Sequence, residues 1–190
     1  MRNGNRQYLA EFSGELVARH FSVSALEARF QECRRTLGRG VDRVTAEIFE
    51  RTGNEEFSRI SERVALGTYR FSPYLEKLIS KGRARAPRQI AKPTVRDKLC
   101  LSALKDVLHE LLPDHVPREL PNQVIRKLLS VLAANPGSIV IKADIRSFYD
   151  CIPHSPLLDL LEEKIGSGAL LNLVAAALSG SIVPYGHKRA

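Results

Sequence analysis

The stretch 138–152 reads SIVIKADIRSFYDCI, an apolar and largely β-branched run that leads into two acidic residues. Such residues favour extended backbone, and Asn135-Pro136-Gly137 immediately upstream is a turn signal. The pattern predicts a strand that starts after the turn and carries Asp144 near its carboxyl end. A carboxylate at the rim of a buried sheet can hold a hard cation such as Mg²⁺, which prefers oxygen ligands. The same pattern also fits an ordinary strand followed by a surface aspartate.

These residues resemble the first catalytic motif of reverse transcriptases, in particular the bacterial group II intron, retron and phage-defence relatives. The family pattern is D-I-x-x-F-[FY]-D-x-I-x-H, and the matching residues are Asp144, Ile145, Phe148, Tyr149, Asp150, Ile152 and His154. The resemblance implies that Asp144 is catalytic and that it binds the catalytic metal together with the backbone of Ile145. The implied cofactor is Mg²⁺, with Mn²⁺ as an alternative ion.

The resemblance also gives roles to the aromatic pair in this motif. Tyr149 is expected to bind the incoming nucleotide by stacking under its sugar, where it excludes a 2′-hydroxyl. Adjacent residues of a strand point to opposite faces, so Phe148 is expected in the core. Asp150 and His154 are expected to cap or hydrogen-bond locally.

Composition and charge narrow the class of protein. With 190 residues, 44% of them hydrophobic, the chain can bury one sizeable core and a small second lobe. The formal charge of +8 and the pI near 9.7 favour an anionic partner, unless the cations only solvate the surface. Without an apolar run of membrane-spanning length or a signal sequence, we expect a cytoplasmic protein with no membrane contact. Cys33, Cys100 and Cys151 are too widely spaced to indicate a disulfide framework or a zinc site.

Residues 1–67 are predicted to form a helical amino-terminal region. Leu26, Phe30 and Cys33 follow at helical spacing, with Ser24 as the expected cap, and residues 55–66 form a further amphipathic helix. Between these helices, the chain resembles the family element G-x-D-G-x-T-x-x-x-F at Gly40, Asp42, Thr45 and Phe49. Arg43 stands where that pattern usually has glycine. Asp42 is expected to form a turn, and Thr45 is expected to start a helix.

Residues 68–135 are predicted to form basic fingers with supporting helices, because positive charge is concentrated in this part of the chain. Glu76 and Asp97 are the only acidic residues between 69 and 98, whereas the basic residues are Arg70, Lys77, Lys81, Arg83, Arg85, Arg88, Lys92, Arg96 and Lys98. Three prolines argue against a long helix, and Gly82 separates two extended runs, which indicates a two-stranded basic ribbon. Tyr69, Phe71 and Tyr74 could stack on bases while the cations bind phosphates. The alternative is a solvated hairpin whose aromatic residues lie in the core.

This segment resembles the fingers of the same polymerases, whose pattern runs K-x-R-P-I-x-I-P-T-x-x-D-R. The matching residues are Arg85, Pro87, Arg88, Ile90, Pro93, Thr94, Asp97 and Lys98. The resemblance implies that Arg88 binds the phosphates of the incoming nucleotide and that Lys81 is a second nucleotide-binding residue. An arginine suits this role because its planar fork can bind two phosphate oxygens at once. The residues expected to bind nucleic acid are Arg83, Arg85, Lys92 and Arg96.

The remaining elements are predicted to be helical. Thr94 and Asp97 form a capping box for a helix that ends before Pro113 and buries the base of the ribbon. After a loop bounded by Pro117 and Pro121, a second helix is expected to contain Val124, Ile125, Leu128, Leu129 and Leu132. Residues 136–190 are predicted to be the first part of a palm, in which the strand at Asp144 precedes two more helices. The predicted fold is therefore α/β of the helix-rich α+β kind, with the fingers and partial palm of a right-hand polymerase.

We expect the amino-terminal portion of an RNA-directed DNA polymerase, with an RNA template, a DNA or RNA primer and deoxynucleoside triphosphates as partners. Intron mobility, retron function and antiviral defence remain open as its pathway. The sequence contains no Y-x-D-D motif, the element that supplies the second pair of metal-binding carboxylates in the resembled family. Two-metal phosphoryl transfer needs carboxylates on both ions, so the chain alone is expected to be inactive without a carboxyl-terminal half. The alternative is a non-catalytic RNA- or DNA-binding module that docks a partner chain.

Overall fold

Helices make up most of the fold, and a small sheet emerges from one end of them. The computed structural model describes residues 2–83, 86–116, 119–145, 148–166 and 168–185, with the backbone alone for residues 2–8 and 10. The elements are α1 (Arg2–His20), α2 (Val23–Cys33), α3 (Ala46–Arg51), α4 (Gly53–Ala65), β1 (Tyr74–Ile79), β2 (Arg88–Lys92), α5 (Val95–Leu111), α6 (Pro121–Ala134), α7 (His154–Ile165), α8 (Ala169–Leu178) and β3 (Ile182–Val183). Single 3₁₀ turns follow α2 and α5 and precede α7. The expected helix-rich α+β class is confirmed.

The core forms where α1, α2 and α4 pack against α5, while α8 packs against α1 and α4. Phe30, Phe49 and Phe57 make an aromatic cluster with ring centroids 5.5 to 6.0 Å apart, from the helical region before the ribbon. Leu99 and Val107 of α5 are fully buried in the same core. Residues of α7 and α8 complete it, so the core draws on the amino-terminal, central and carboxyl-terminal parts of the chain.

Side-chain caps explain several helix starts. Thr45 and Thr94 cap α3 and α5 by accepting from the backbone N–H groups of Ile48 and Asp97, as predicted. The cap of α2 is Ser22, whose hydroxyl accepts from Ala25 N–H, so the prediction of Ser24 was wrong by two residues. Both serines can cap a helix, and the sequence alone does not tell which one has the extended backbone that a cap requires.

The predicted ribbon is confirmed as an antiparallel pair. Strand β1 pairs with β2 in a register that runs from Leu75 opposite Lys92 to Ile79 opposite Arg88. On its other edge, β1 pairs in parallel with the two-residue strand β3. The sheet order is β2-β1-β3, and a hydrogen bond of 2.7 Å from Tyr74 N–H to the Ser181 carbonyl leads into the parallel pair.

The strand predicted after Gly137 is not formed, which corrects the sequence-based expectation. Residues 138–145 have no regular secondary structure, and Ile139 and Ile141 are 87% and 86% exposed. β-branched residues favour extended backbone, but a strand also needs a partner for its N–H and C=O groups, and no described strand pairs with this segment. The preceding helix α6 is formed as predicted, yet none of its residues is buried.

A buried carboxylate fixes the ribbon to the helical core. Asp97, in the first turn of α5, is fully buried and accepts hydrogen bonds from the Tyr69 hydroxyl (2.8 Å), the Ser72 backbone N–H (3.0 Å) and the Thr94 hydroxyl (2.8 Å). Burial raises the pKa of the Tyr69 phenol, which therefore stays protonated as a donor. Tyr69 and Ser72 precede β1 and Thr94 follows β2, so this one side chain holds both ends of the ribbon.

The loop of residues 38–44 packs against the end of β2. A Cβ atom built on Gly40 would lie 2.6 Å from Thr94 Cα, so only glycine permits this approach. Beyond it, the Arg43 N–H donates to the Gly40 carbonyl, and the Val44 N–H donates to Asp42 Oδ1 at 3.1 Å. The predicted turn at Asp42 is therefore confirmed.

We predict that Asp97→Asn destabilises the protein by about 2 to 4 kcal/mol, because an amide replaces a charged acceptor that three donors share. Chemical denaturation measures the loss. The control is Asp159→Asn on the exposed face of α7, which should change stability by less than about 0.5 kcal/mol. Equal stabilities for the two variants would show that Asp97 does not hold the ribbon.

A pair of glycine substitutions tests how the 38–44 loop is anchored. Gly40→Ala forces a Cβ into the Thr94 backbone and should cost about 1 to 3 kcal/mol. Gly38→Ala meets only the flexible end of the Lys92 side chain, which can move away, so thermal unfolding should show a much smaller effect. A larger loss for Gly38→Ala than for Gly40→Ala would contradict this packing.

Candidate nucleic-acid interface

The pairing register of β1 and β2 places the cations of both strands on one face of the ribbon. Residues directly opposite one another share a face, so Leu75 with Lys92, Lys77 with Ile90, and Ile79 with Arg88 form what we call the cationic face. Each of these three pairs joins one cation to one aliphatic side chain. The opposite face carries Glu76 beside Ala91 and Leu78 beside Gln89, and the Gln89 amide donates to Glu76 at 2.9 Å. Positive charge thus faces one direction only.

The cations of this face are spaced at regular intervals. Lys77 lies diagonally across the strand pair from both Lys92 and Arg88, a separation of about 7 to 8 Å between backbones. Within the described part of the chain, none of the three cations has an ion-pair partner. Among the described residues, the face therefore presents three cations that no carboxylate neutralises.

Contacts at the base of the ribbon show which part of the molecule each face of the ribbon adjoins. The end of the Lys92 side chain approaches Gly38, so the cationic face adjoins the 38–44 loop. On the opposite face, the Tyr74 ring packs against Gly180 and its hydroxyl donates to the Ala177 carbonyl at 3.3 Å. The side toward α8 is therefore covered at its base, whereas the cationic face opens to solvent above the loop.

The predicted nucleotide- and nucleic-acid-binding residues occupy different parts of the ribbon. Lys81 and Arg83 are exposed at its tip, near Gly82, which has a positive φ of 97°. Arg88 and Lys92 lie at the two ends of β2 on the cationic face. Arg85 lies outside the described residues. The structure thus brings Arg88 and Lys92 onto one surface and leaves Lys81 and Arg83 beyond its outer end.

The expectation that aromatic residues of this segment stack on bases is wrong for Tyr69, which is buried and engaged with Asp97. Phe71 packs edge to face on Tyr69, with centroids 5.0 Å apart, against the core. Tyr74 is half-buried against α8. The alternative prediction, a solvated hairpin whose aromatic residues lie in the core, describes these rings correctly. All three lie before β1 or at its first residue, where the chain leaves the core.

Arg96 is held in a network of its own. Its guanidinium donates to the Ser72 hydroxyl at 3.1 Å and lies 3.7 Å from Asp97 Oδ1, 5.9 Å from the centre of the Tyr69 ring. Burial opposes its charge, but the neighbouring Tyr69 and Asp97 outweigh burial and raise its pKa. It borders a cleft of about 280 Å³ that also contains the carboxylates of Asp42 and Glu56. This environment is already balanced by negative charge, unlike the cationic face.

The predicted catalytic segment is exposed and separate from the ribbon. Asp144 and Ile145 lie in the irregular stretch, Tyr149 is 78% exposed, and among described residues no hydrogen bond or ion pair joins them to β1 or β2. Phe148 was predicted to be in the core, but it is 48% exposed and packs on the Tyr149 ring at 5.3 Å. The alternation of a strand does not apply, because these residues form a 3₁₀ turn.

The described residues do not by themselves fit a two-ion metal centre. They bring together no group of three or more histidine, cysteine, aspartate or glutamate side chains. Asp144 with the Ile145 carbonyl offers fewer oxygens than Mg²⁺ requires when two ions are bridged by carboxylates. Any such centre needs carboxylates in addition to those that the described residues assemble.

The sequence analysis named Arg43 only as a departure from a family pattern and assigned it no functional role. It has a φ of 60°, the only positive φ at a non-glycine residue in the described chain. Left-handed backbone costs a residue with a Cβ about 1 to 2 kcal/mol relative to glycine. The resembled pattern has glycine here, and the turn that glycine would allow is present with arginine in its place. The arginine at a position where the pattern has glycine was the sequence signal that could have drawn attention to this residue.

A larger cavity, of about 540 Å³, lies between α1, α2, α4 and the start of α8. Its walls are mostly apolar, and the Ser13 hydroxyl at its edge already donates to the Ile165 carbonyl at 2.9 Å. It therefore offers little polar chemistry, and the ribbon remains the best candidate site.

No helix in the described parts of the chain is both long enough and apolar enough to cross a membrane. Comparisons with known proteins find no family model and no curated protein that matches the chain.

We predict that the chain binds RNA with a steep salt dependence that is set by the cationic face. Lys77→Gln with Arg88→Gln should lower the slope of log affinity against log salt by about two and weaken binding at least tenfold at low salt. The control, Arg19→Gln with Lys105→Gln, removes the same charge from α1 and α5, where both cations are already paired with carboxylates of α5. Fluorescence anisotropy measures both. Equal losses in the two variants would indicate a response to net charge alone.

Proposed function

We propose that this chain is the nucleic-acid- and nucleotide-binding portion of an RNA-directed DNA polymerase that resembles bacterial reverse transcriptases. The observation that carries the proposal is the cationic face, three unpaired cations at regular spacing on a ribbon fixed to the core. In this proposal the ribbon serves as the fingers, binding an RNA template with its DNA or RNA primer.

Two local features support the likeness to polymerase fingers. The fingers pattern includes Thr94 and Asp97, and those residues form the buried network that holds the ribbon. The first element, from Gly40 to Phe49, folds into the turn and helix start that its pattern implies. Arg88 lies on the cationic face, where its fork can bind phosphate oxygens of a nucleoside triphosphate. Lys81 and Arg83 at the ribbon tip would extend that surface.

The chemical step belongs to the complete enzyme rather than to these residues alone. In the proposal, Asp144 contributes one carboxylate to the metal centre, and Tyr149 limits the space beside the sugar of the incoming nucleotide. The further carboxylates would come from a Y-x-D-D segment outside these 190 residues. The exposed state of Asp144 and Tyr149 is compatible with a site that is completed by another segment.

The second candidate is a non-catalytic RNA- or DNA-binding module that docks a partner chain. It is favoured by the apolar face of α6, where Val124, Ile125, Leu128 and Leu129 are between 43% and 59% exposed. Contiguous apolar side chains of this kind often mark an interaction surface. Both candidates use the ribbon to bind nucleic acid, and they differ in whether Asp144 takes part in chemistry.

A complementation assay tests the proposal. The chain is mixed with a carboxyl-terminal polymerase half that supplies Y-x-D-D, and deoxynucleotide incorporation is measured on a primed RNA template with Mg²⁺. Asp144→Asn should abolish incorporation and leave RNA affinity within about twofold, because the ribbon is unchanged. The matched control Asp150→Asn, in the 3₁₀ turn of Phe148–Cys151, should keep most of the activity. Full incorporation with asparagine at 144 would contradict the catalytic role.

The same assay separates the role of Tyr149. Tyr149→Ala should accept ribonucleotides relatively better than the parent chain, since a smaller side chain leaves room for a 2′-hydroxyl. An unchanged preference would remove Tyr149 from the nucleotide site. If no combination incorporates nucleotides while RNA binding is intact, the non-catalytic module is the better description.

A further inference from the structure

The loop of residues 38–44 carries two cations that the sequence motifs do not assign to any partner. Arg39 and Arg43 are exposed, and neither forms an ion pair within the described part of the chain. They stand on either side of the Gly40 contact with Thr94. The loop is therefore fixed in place at its centre, and its arginines reach into solvent on both sides of that contact.

The position of this loop relative to the ribbon follows from the contacts of Lys92. Lys92 belongs to the cationic face, and the end of its side chain approaches Gly38. The loop thus begins where the row of cations on the ribbon ends. Gly38 and Gly40 both lie against the end of β2, whereas Arg39 between them is exposed.

The backbone of Arg43 supplies an independent indication. Its φ of 60° would suit glycine, yet the position holds a long cation. A residue kept in an unfavourable backbone conformation is a reasonable place to look for function. Its exposure removes packing as a reason, because the side chain is not part of the core.

We propose that the 38–44 loop is a second phosphate-binding element, so that one polynucleotide backbone contacts Arg39 and Arg43 after passing over the cationic face. This inference rests on the proposed binding of nucleic acid by the ribbon and extends it to a different part of the chain. Arg39 and Arg43 thus add two exposed cations next to the three of the cationic face. The ligand is the phosphodiester backbone, in RNA or in DNA.

Binding to matched RNA and DNA oligonucleotides of one sequence, as a function of salt, tests the proposal with the full chain. Arg39→Gln should weaken binding about threefold or more and lower the salt slope by about 0.7 to 0.9. Arg43→Gly should do the same while its thermal midpoint stays equal or rises, since glycine relieves the backbone. The control Arg19→Gln, beside Glu110 at the far end of α5, should bind like the parent chain.

The outcomes separate this inference from the function on which it rests. Loss of affinity in both loop variants, with an unchanged control, supports the proposal, and the RNA and DNA arms show which backbone is preferred. If Arg39→Gln and Arg43→Gly bind like the parent chain while the ribbon variants weaken binding, the loop proposal is overturned and the ribbon proposal stands. If neither set weakens binding, both are overturned.

Discussion

The burial of one carboxylate, Asp97, is the constraint on which the position of the ribbon depends. Taking a charged group out of water is costly unless hydrogen bonds replace its hydration. Here three donors and a nearby guanidinium replace it, and the donors come from the chain before β1 and after β2. The network therefore joins two segments that are 25 residues apart to the first turn of α5. The outer part of the ribbon is exposed and depends on this base.

The fixed base and the strand register together decide the direction of the positive charge. The contact of Tyr74 with Gly180 and Ala177 closes one side of the base, and Lys92 lies against the loop on the other. Elsewhere, ion pairs neutralise part of the charge, such as Arg29 with Asp106 and Arg34 with Glu50. The net charge of +8 is therefore not spread evenly. Among the described residues, the cations of the ribbon and of the neighbouring loop have no ion-pair partner, and free charge of this kind attracts an anionic polymer.

Local signals predicted the elements whose structure is decided locally. Proline and glycine positions indicated the ribbon, and Thr45 and Thr94 indicated helix starts, because turns and caps depend on neighbouring residues. The network around Asp97 was not foreseen beyond its contact with Thr94, since Tyr69 and Ser72 are distant in sequence. The two-residue strand β3 is too short to leave a periodic pattern.

The candidate site residues likewise divide into those that local sequence predicted and those whose placement depends on tertiary structure. The sequence identified the cations of the ribbon but could not assign them to faces, because the face depends on the pairing register. It placed Tyr69 beside the cations in sequence, whereas the fold turns the ring into the core. The strand expected at Asp144 is not formed. Composition predicts extended backbone, but it does not predict the partner strand that an extended segment needs. The left-handed backbone of Arg43 is likewise not predicted by local propensity, since a residue with a Cβ disfavours it.

The most direct test of this account is a footprint of each lysine in the chain bound to RNA. Acetylation of the free and bound protein is followed by mass spectrometry, and each lysine is compared with itself. We expect Lys77 and Lys92 on the cationic face to be protected, while Lys105 and Lys164 on α5 and α7 react equally in both states. Protection of Lys105 and Lys164 with no change at Lys77 and Lys92 would contradict the assignment of RNA binding to the ribbon.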